Sequence, residues 1–372
     1  MTAANVNHLP RTVDVLTSQM NAGLHIGAQL YVSLRGQIVA DVGIGQSRPG
    51  VAMTPETVIL WMSATKPTAA LAIAQLWERD LLSLDDPVAR HIPEFARHGK
   101  ETITLRHVLT HTAPIRRVET GWPDVAWDTI ITKVCAMRPE RDWIPGRKAG
   151  YSALTSWFLL GEIVRRLDGR PFADYVRREV FEPLQMNDSW IAMPPDVYHR
   201  YGDRLAVMQK TETGTPVDAG LDTEPAATRA RPAGSGHGPV RELGRIYEML
   251  LAGGSLSGRR IVSPQTVEAL VARHRAGMYD MTFRHVIDWG LGFLLNSNQY
   301  GPDTLPYGYG PHASYRTFGH NGHQSATAFA DPEHHLVVAL VCNGMPGEPA
   351  HHQRMKEVHS AIYEELALVN ST

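Results

Sequence analysis

Apolar and polar positions along the chain change period several times, and each change predicts an element. Val13, Leu16 and Met20 recur at helical spacing, so the opening residues read as an amphipathic helix. Ala28 to Leu34 reads as a strand. Arg35-Gly36-Gln37 makes a turn, and Ile38 to Val42 returns as the second strand of a hairpin. Ser63 to Asp80 begins a helix rich in alanine, with Pro67 tolerated in its first turn; its small residues mark it as buried between layers. Leu105 to Thr112 and Ser152 to Leu167 are the clearest helices of the middle region. Trp157, Gly161 and Val164 share one face of the second, Arg165 and Arg166 suit its C-terminal end, and Asp168-Gly169 stops it. Residues 198 to 240, rich in Gly, Pro, Thr and Ala, read as long loops. Arg241 to Ala252 is a helix ended by Gly253-Gly254. Strands are expected at Gly290 to Leu295, Thr317 to His320, Ala326 to Ala330 and His335 to Cys342, with Asp331-Pro332-Glu333 turning between the last two. Met355, Val358, Ile362 and Leu366 mark a C-terminal helix. There is no internal repeat or low-complexity segment.

Strands at both ends with helices between them imply an α/β fold of the α+β type. An antiparallel sheet is built from the two chain ends and flanked by helices, with a mostly helical region inserted. The expected division is residues 1–80 plus 241–372 for the sheet domain and 81–240 for the helical insertion. The cleft between them is the place for chemistry.

Length and composition narrow the function. The chain has 372 residues, 43% hydrophobic and 20% charged, enough to bury a large core without disulfides or metals. Its 36 Lys plus Arg against 38 Asp plus Glu argue against a nucleic-acid partner. Cys135 and Cys342 cannot form a disulfide framework or a zinc ribbon and read as buried or free thiols of a reducing compartment. The first twenty residues lack the charged start and apolar core of a signal peptide. The longest apolar run, Leu336 to Cys342, is a strand rather than a membrane span, so the expected location is the cytoplasm, with no membrane partner.

Three stretches carry candidate chemistry. In Ser63-Ala64-Thr65-Lys66 a helix places the serine hydroxyl beside the amine. A hydroxyl needs a base to become a nucleophile, and a lysine, ordinarily protonated up to a pKa of about 10.4, becomes one when burial lowers that value. Ser-x-x-Lys arises by chance about once in a chain of this size, and a surface serine with a snorkelling lysine is the bland alternative. Tyr151-Ser152-Ala153, after Trp143, Pro145 and Gly146, offers a phenol that would ionise more easily against a lysine cation and share the proton relay; the alternative is a core tyrosine opening a helix. Phe318-Gly319-His320-Asn321-Gly322-His323 is a strand whose Gly322 would let a substrate carbonyl lie close. The N–H groups of His323 and Ser63 would then form an oxyanion hole, the alternative being a bulge with two solvated histidines.

In this order the stretches resemble the serine β-lactamase and penicillin-binding-protein-like family, especially class C β-lactamases, D,D-peptidases and related esterases and transacylases. Leu105 to Thr112, Pro145-Gly146 through Tyr151-Ser152 to Leu160-Gly161-Glu162, Pro183-Leu184-Gln185-Met186, Gly290 to Phe293 and Gly319 to Asn343 extend the likeness from about residue 10 to 365. The resemblance implies that Ser63 is the nucleophile, Lys66 its base partner and Tyr151 the second member of the relay. His320-Asn321-Gly322 then stands where β-lactamases carry Lys-Thr-Gly. Family esterases often have histidine at that first position. Ala153 replaces an asparagine that contacts the substrate amide, His320 the lysine that attracts a carboxylate, and His323 the usual Ser or Thr.

These departures weaken the grip on a β-lactam carboxylate and a peptide amide while leaving the acyl-enzyme machinery. They imply ester or thioester chemistry with β-lactamase activity weak or absent. The acyl group passes to water, or to a small alcohol or amine as in the family's transacylases of natural-product pathways. The expected partners are a small-molecule ester or activated acyl donor and such an acceptor, with no cofactor. β-Lactamase or D,D-peptidase activity and a non-catalytic acyl-binding sensor are the alternatives. A metal-dependent hydrolase is a further rival, because His107 and His111 stand at a ligand spacing; but no Glu follows His107 in the HExxH sense and no third ligand is evident, and the resemblance makes both structural. His334-His335 and His351-His352 read as solvated. Gly43, Gly45 and Gly50 fail as a dinucleotide fingerprint because Arg48 takes the last glycine's place, and G-x-S-x-G is absent.

Overall fold

The computed structural model describes residues 9–369. The outermost residues of the expected sheet domain, 1–8 and 370–372, lie outside the described residues. Seven strands form one sheet: β1 (Gly27–Leu34), β2 (Gln37–Arg48), β3 (Val51–Ala52), β4 (Leu294–Leu295), β5 (Phe318–Asn321), β6 (Ala326–Asp331) and β7 (Leu336–Cys342). Their order is β4-β5-β6-β7-β1-β2-β3, and every neighbouring pair is antiparallel. β1 and β7, far apart in sequence, pair in the middle with Leu30 opposite Leu340. The sheet of the two chain ends is therefore real, and the central pairing is what joins them.

The side-chain period of two sorts the strand residues between two cores. Leu30, Val32, Val338 and Leu340 face α1 (Pro10–Asn21) and α5 (Glu348–Glu365), where Leu16, Val358 and Ile362 meet them. Tyr31, Val337, Ala339 and Val341 face the other side, toward α4 (Val240–Leu251) and, beyond it, the buried alanine-rich α2 (Lys66–Glu78) and α3 (Trp157–Asp168). With both faces covered, β7 is apolar throughout rather than alternating. Cys135 and Cys342 are buried free thiols. No helix among the described residues is long and apolar enough to cross a membrane.

Several element boundaries differ from the sequence reading, each for a local reason. Gly290 to Leu295 is strand only at Leu294–Leu295, because Gly292 has a φ of 81° and donates its N–H to Leu109. The helix expected from Ser152 starts at Trp157, since Ser152 is tied to His111 and to the carbonyls of Ile115 and Arg116. The helix expected through Thr112 stops at Leu109, and His111 takes a φ of 56°. Residues 198–240 are not simply loop: they hold the end of a helix (Pro195–Tyr201), another at Glu224–Thr228 and three two-residue strands. β2 runs on to Arg48, and β6 keeps Asp331, so the following turn is residues 332–335.

Two histidine readings also change. His351 is buried, with Nδ1 3.0 Å from the buried Arg354, and His334 is held 2.9 Å from the Asp331 carboxylate. Both lie where neighbouring elements close over them, which local polarity does not reveal.

Candidate active site

The chain enters this region on a short strand, Ile59–Leu60, and leaves it on α2. Between them Met62 adopts a φ of 52°, an unusual conformation for a side chain with a Cβ. That kink starts a 3-10 turn, Met62–Thr65, which runs directly into α2. Ser63 therefore sits at the first turn of a helical segment, where the helix dipole favours developing negative charge. The expected continuous helix from Ser63 to Asp80 is this 3-10 turn followed by the α-helix Lys66–Glu78.

Lys66 is fully buried one turn after Ser63, and its Nζ lies 2.9 Å from Ser63 Oγ. It also donates to the carbonyls of Ala153, at 2.8 Å, and Ala233, at 2.9 Å. Burial, reinforced by the nearby Arg231 cation, holds its pKa well below 10.5. A neutral amine has two N–H groups and one lone pair. The two carbonyls take the N–H groups, which leaves the lone pair toward Ser63. If the amine gains a proton, all three N–H groups have acceptors. The rings of Tyr151 and Trp157, with centroids 5.0 and 5.5 Å away, add cation–π support for the charged form.

Tyr151 arrives from the irregular stretch before α3. Its backbone N–H donates to Asp280 Oδ1 at 3.1 Å, and its carbonyl accepts from Thr282 Oγ1 at 3.0 Å. Its ring packs against His111, Trp289 and Phe283, centroids 4.7, 5.7 and 4.8 Å away. Burial raises the phenol pKa, with the Ser63 hydroxyl as a weaker opposing influence. This reverses the expectation that the phenol ionises more readily beside lysine. Burial depresses the amine too, so the neighbour is not a permanent cation.

The third stretch lies on β5. His320 is buried, and its Nδ1 is 2.8 Å from the Asn321 carbonyl, which assigns the ring proton to Nδ1. Burial, followed by the Lys66 cation, pushes its pKa down to about 3, so the ring is neutral near pH 7. Asn321 donates its side-chain amide to the Tyr307 carbonyl at 2.7 Å. Gly322 has a reason within the protein itself. A Cβ there would stand 2.6 Å from the Trp61 carbonyl and 2.8 Å from Met62 Cβ, so the missing side chain lets β5 meet the turn bearing Ser63. Among the described residues neither the Ser63 nor the His323 N–H donates to a protein group, so both are free to bind an oxyanion. The His323 ring is half-exposed, with Nδ1 3.2 Å from Glu348.

Ser63, Tyr151, Ala153, His320, Asn321 and His323 line one cavity of about 920 Å³. Lys66 reaches it through Ser63, and Gly322 packs behind it. His107 and His111 do not converge. His107 Nδ1 accepts the Thr104 N–H within a helix cap, whereas His111 Nδ1 accepts the Ser152 N–H. Among the described residues no group of three or more His, Cys, Asp or Glu is arranged to hold a metal.

Sequence reasoning missed Asp280, which is fully buried. Its Oδ1 accepts N–H groups from Tyr151, Thr282 and Phe283, and its Oδ2 accepts from the buried Arg275 at 2.9 Å. The local signal, Asp280 two residues before Thr282, is that of any Asx turn. Tyr307, Glu348 and His352 also line the cavity and carried no motif.

The family model described as Beta-lactamase matches residues 13–361. The chain is 27% identical over 346 residues to the esterase/beta-lactamase LipL of Mycobacterium tuberculosis, covering 85% of this chain and 77% of the relative. A penicillin-binding protein homologue from Caulobacter crescentus has the same fold, with a TM-score of 0.78 and 28% identity over 96% of this chain and 98% of the other. A family VIII carboxylesterase gives a TM-score of 0.76 and 26% identity over 95% and 97%.

Replacing Asp280 with Asn removes the carboxylate in contact with the buried Arg275 cation and leaves only the more distant charge of Asp288 to offset it. The expected loss is about 3–5 kcal/mol of stability, measured by denaturant titration, with a fall in turnover as Tyr151 loses its anchor. The lowered Lys66 pKa also sets a pH dependence. Acylation rate, followed by stopped flow, rises as the amine deprotonates and levels off well before pH 10.5. A rate still climbing at that pH shows that Lys66 stays charged.

Proposed function

The chain belongs to the beta-lactamase family, and from that premise we propose that it is a serine-dependent acyl-transfer enzyme acting on carboxylic esters through an acyl-enzyme on Ser63. The observation that carries this reading is the Lys66 amine, buried and lone-pair-directed, 2.9 Å from the Ser63 hydroxyl. In the first half-reaction Ser63 Oγ attacks the ester carbonyl carbon as its proton passes to Lys66 Nζ. The oxyanion is met by the N–H groups of Ser63 and His323. The carbon–oxygen bond to the alcohol breaks, and the proton reaches that alcohol through Lys66 and the neutral Tyr151 hydroxyl. In the second half-reaction water, or a small alcohol or amine, attacks the acyl carbon. The bond between the acyl carbon and Ser63 Oγ breaks, and the nucleophile's proton, taken up by the same pair, returns to Ser63 Oγ.

A cleft between a sheet domain (1–80 plus 241–372) and a helical insertion (81–240) fits this scheme, because the cavity draws Ser63 and His320 from one and Tyr151 and Arg231 from the other. Ester substrates are favoured over β-lactams and peptides by two side chains. His320 supplies no cation where the family's β-lactamases carry a lysine, and Ala153 supplies no amide. The relatives named for esterase activity support ester substrates. Transfer to an acceptor, as in a biosynthetic transacylase of the cytoplasm, is the finer form of the same reading. It depends on how well an apolar cavity excludes water from the acyl-enzyme.

Intact-mass analysis with a short aryl ester is expected to give one acyl adduct, mapped to Ser63. Ser63→Ala is expected to abolish both adduct and turnover with folding intact; undiminished turnover by that variant rejects the assignment. Short aryl esters are expected to be consumed faster than a chromogenic cephalosporin. The opposite order shows that Ala153 and His320 do not set the preference.

A further inference from the structure

The cavity wall at Arg231 and Gly234 carries a cation for which no anion is supplied among the described residues. The turn of residues 231–236 is locked against the nucleophile. The Ala233 carbonyl accepts from Lys66, Gly236 donates to Thr65 Oγ1 at 2.9 Å, and the Gly236 carbonyl accepts the Trp61 N–H at 2.8 Å. Arg231 opens the turn, its backbone N–H on Ser235 Oγ at 2.8 Å. The guanidinium carbon lies 4.0 Å from the centroid of the Trp122 ring, and one terminal nitrogen donates to the Gly234 carbonyl at 3.1 Å. That stack and that bond fix the plane of the fork beside Met62 and Ser63. Nε is shut off from solvent and has no partner. No carboxylate contributes to its ionisation, and burial alone brings its pKa down to about 10, so it remains charged near pH 7.

The rest of the cavity offers it nothing. Glu348 is the one carboxylate among the described lining residues. It already accepts from Tyr307 at 2.8 Å and lies 3.2 and 3.1 Å from the His323 and His352 rings. Burial alone would raise the Glu348 pKa, but these partners outweigh it and hold the group well below the ordinary carboxylate range. His320 adds no charge. Lys210 and Arg284 also line the cavity without a carboxylate partner among the described residues, but both are exposed and unstacked, so Arg231 is the cation that the protein holds in a fixed orientation. A fixed, stacked guanidinium of this kind matches a planar carboxylate.

We propose that Arg231 is a substrate-binding residue that takes a carboxylate, so that the preferred substrate is an ester also bearing a free carboxylate group. This rests on the Ser63 acyl-enzyme reading.

The test compares two matched pairs of esters: p-nitrophenyl monoesters of adipic and hexanoic acids, with the charge on the acyl side, and 4-carboxyphenyl and phenyl butyrates, with the charge on the leaving side. In one pair or both, kcat/KM is expected to favour the anionic member by about tenfold or more, mainly through KM, as one charge-assisted contact requires. Arg231→Gln should erase that ratio, Arg231→Lys should keep part of it, and added salt should reduce it. Taking the ratio cancels any effect of Arg231 on Lys66, which both members of a pair share. Inhibition of the unaltered enzyme by hexanoate but not by the neutral hexanamide is expected as well, and needs no variant to fold. Turnover of the neutral esters with no anionic preference, or a preference that survives Arg231→Gln, overturns this proposal and leaves Ser63 standing. No turnover of any ester and no adduct overturns the reading beneath it.

Discussion

One buried amine organises this molecule. A fully enclosed lysine is costly to keep charged, and among the described residues it has no carboxylate to neutralise it. Its surroundings fit both protonation states. Two backbone carbonyls, from Ala153 and Ala233, hold the nitrogen in place and leave one direction open, toward the Ser63 hydroxyl. Desolvation favours the amine with its lone pair free, while the carbonyls and two aromatic rings receive the proton when it arrives. Depressed basicity and a ready home for the cation are what a proton shuttle requires, and both come from the same cage.

The cage is built from three distant parts of the chain, so the fold has to hold them in register. The kink at Met62 sets Ser63 and Lys66, and β5 closes against that kink only because residue 322 lacks a Cβ. The turn at 231–236 is bonded to Thr65 and Trp61. Tyr151 is tied down from behind by Asp280, itself fixed by Arg275 in the core. Rigid support of this kind suits chemistry in which a proton moves between groups a few ångströms apart. It also explains the unusual density of buried polar groups around an otherwise apolar cavity.

Charge placement then separates chemistry from selectivity. Burial favours the uncharged forms of Lys66, His320 and Tyr151, lowering the pKa of the first two and raising that of the third. The Glu348 carboxylate is engaged by Tyr307, His323 and His352. The guanidinium of Arg231 stands apart from that balance. It acts on Lys66 through space by discouraging its protonation, and it lines the same cavity as Ser63. In the proposed reading a single residue links the reactivity of the base to the electrostatics of recognition.

Much of this was legible in the residues. The strand-length apolar runs at 28–34 and 335–342 and the spacing of Ser63 and Lys66 depend on neighbours within one turn or one strand, and local geometry enforces them whatever the rest of the chain does. The order of the three motifs then identified the family. What the sequence could not determine lies in contacts across hundreds of residues. Asp280 behind Tyr151, Arg231 on Trp122, Trp61 against Gly322 and the burial of His351 have no period or spacing to reveal them. Ionisation belongs to the same class. A lysine, a tyrosine and a histidine have ordinary pKa values as letters in a chain, and only the enclosure made by distant segments removes the water that keeps them ordinary. The sequence alone thus determined which groups could react and roughly where the strands and helices run. Tertiary packing decided which of those groups are dry, neutral and aimed at one another, because desolvation and close approach are properties of the assembled structure.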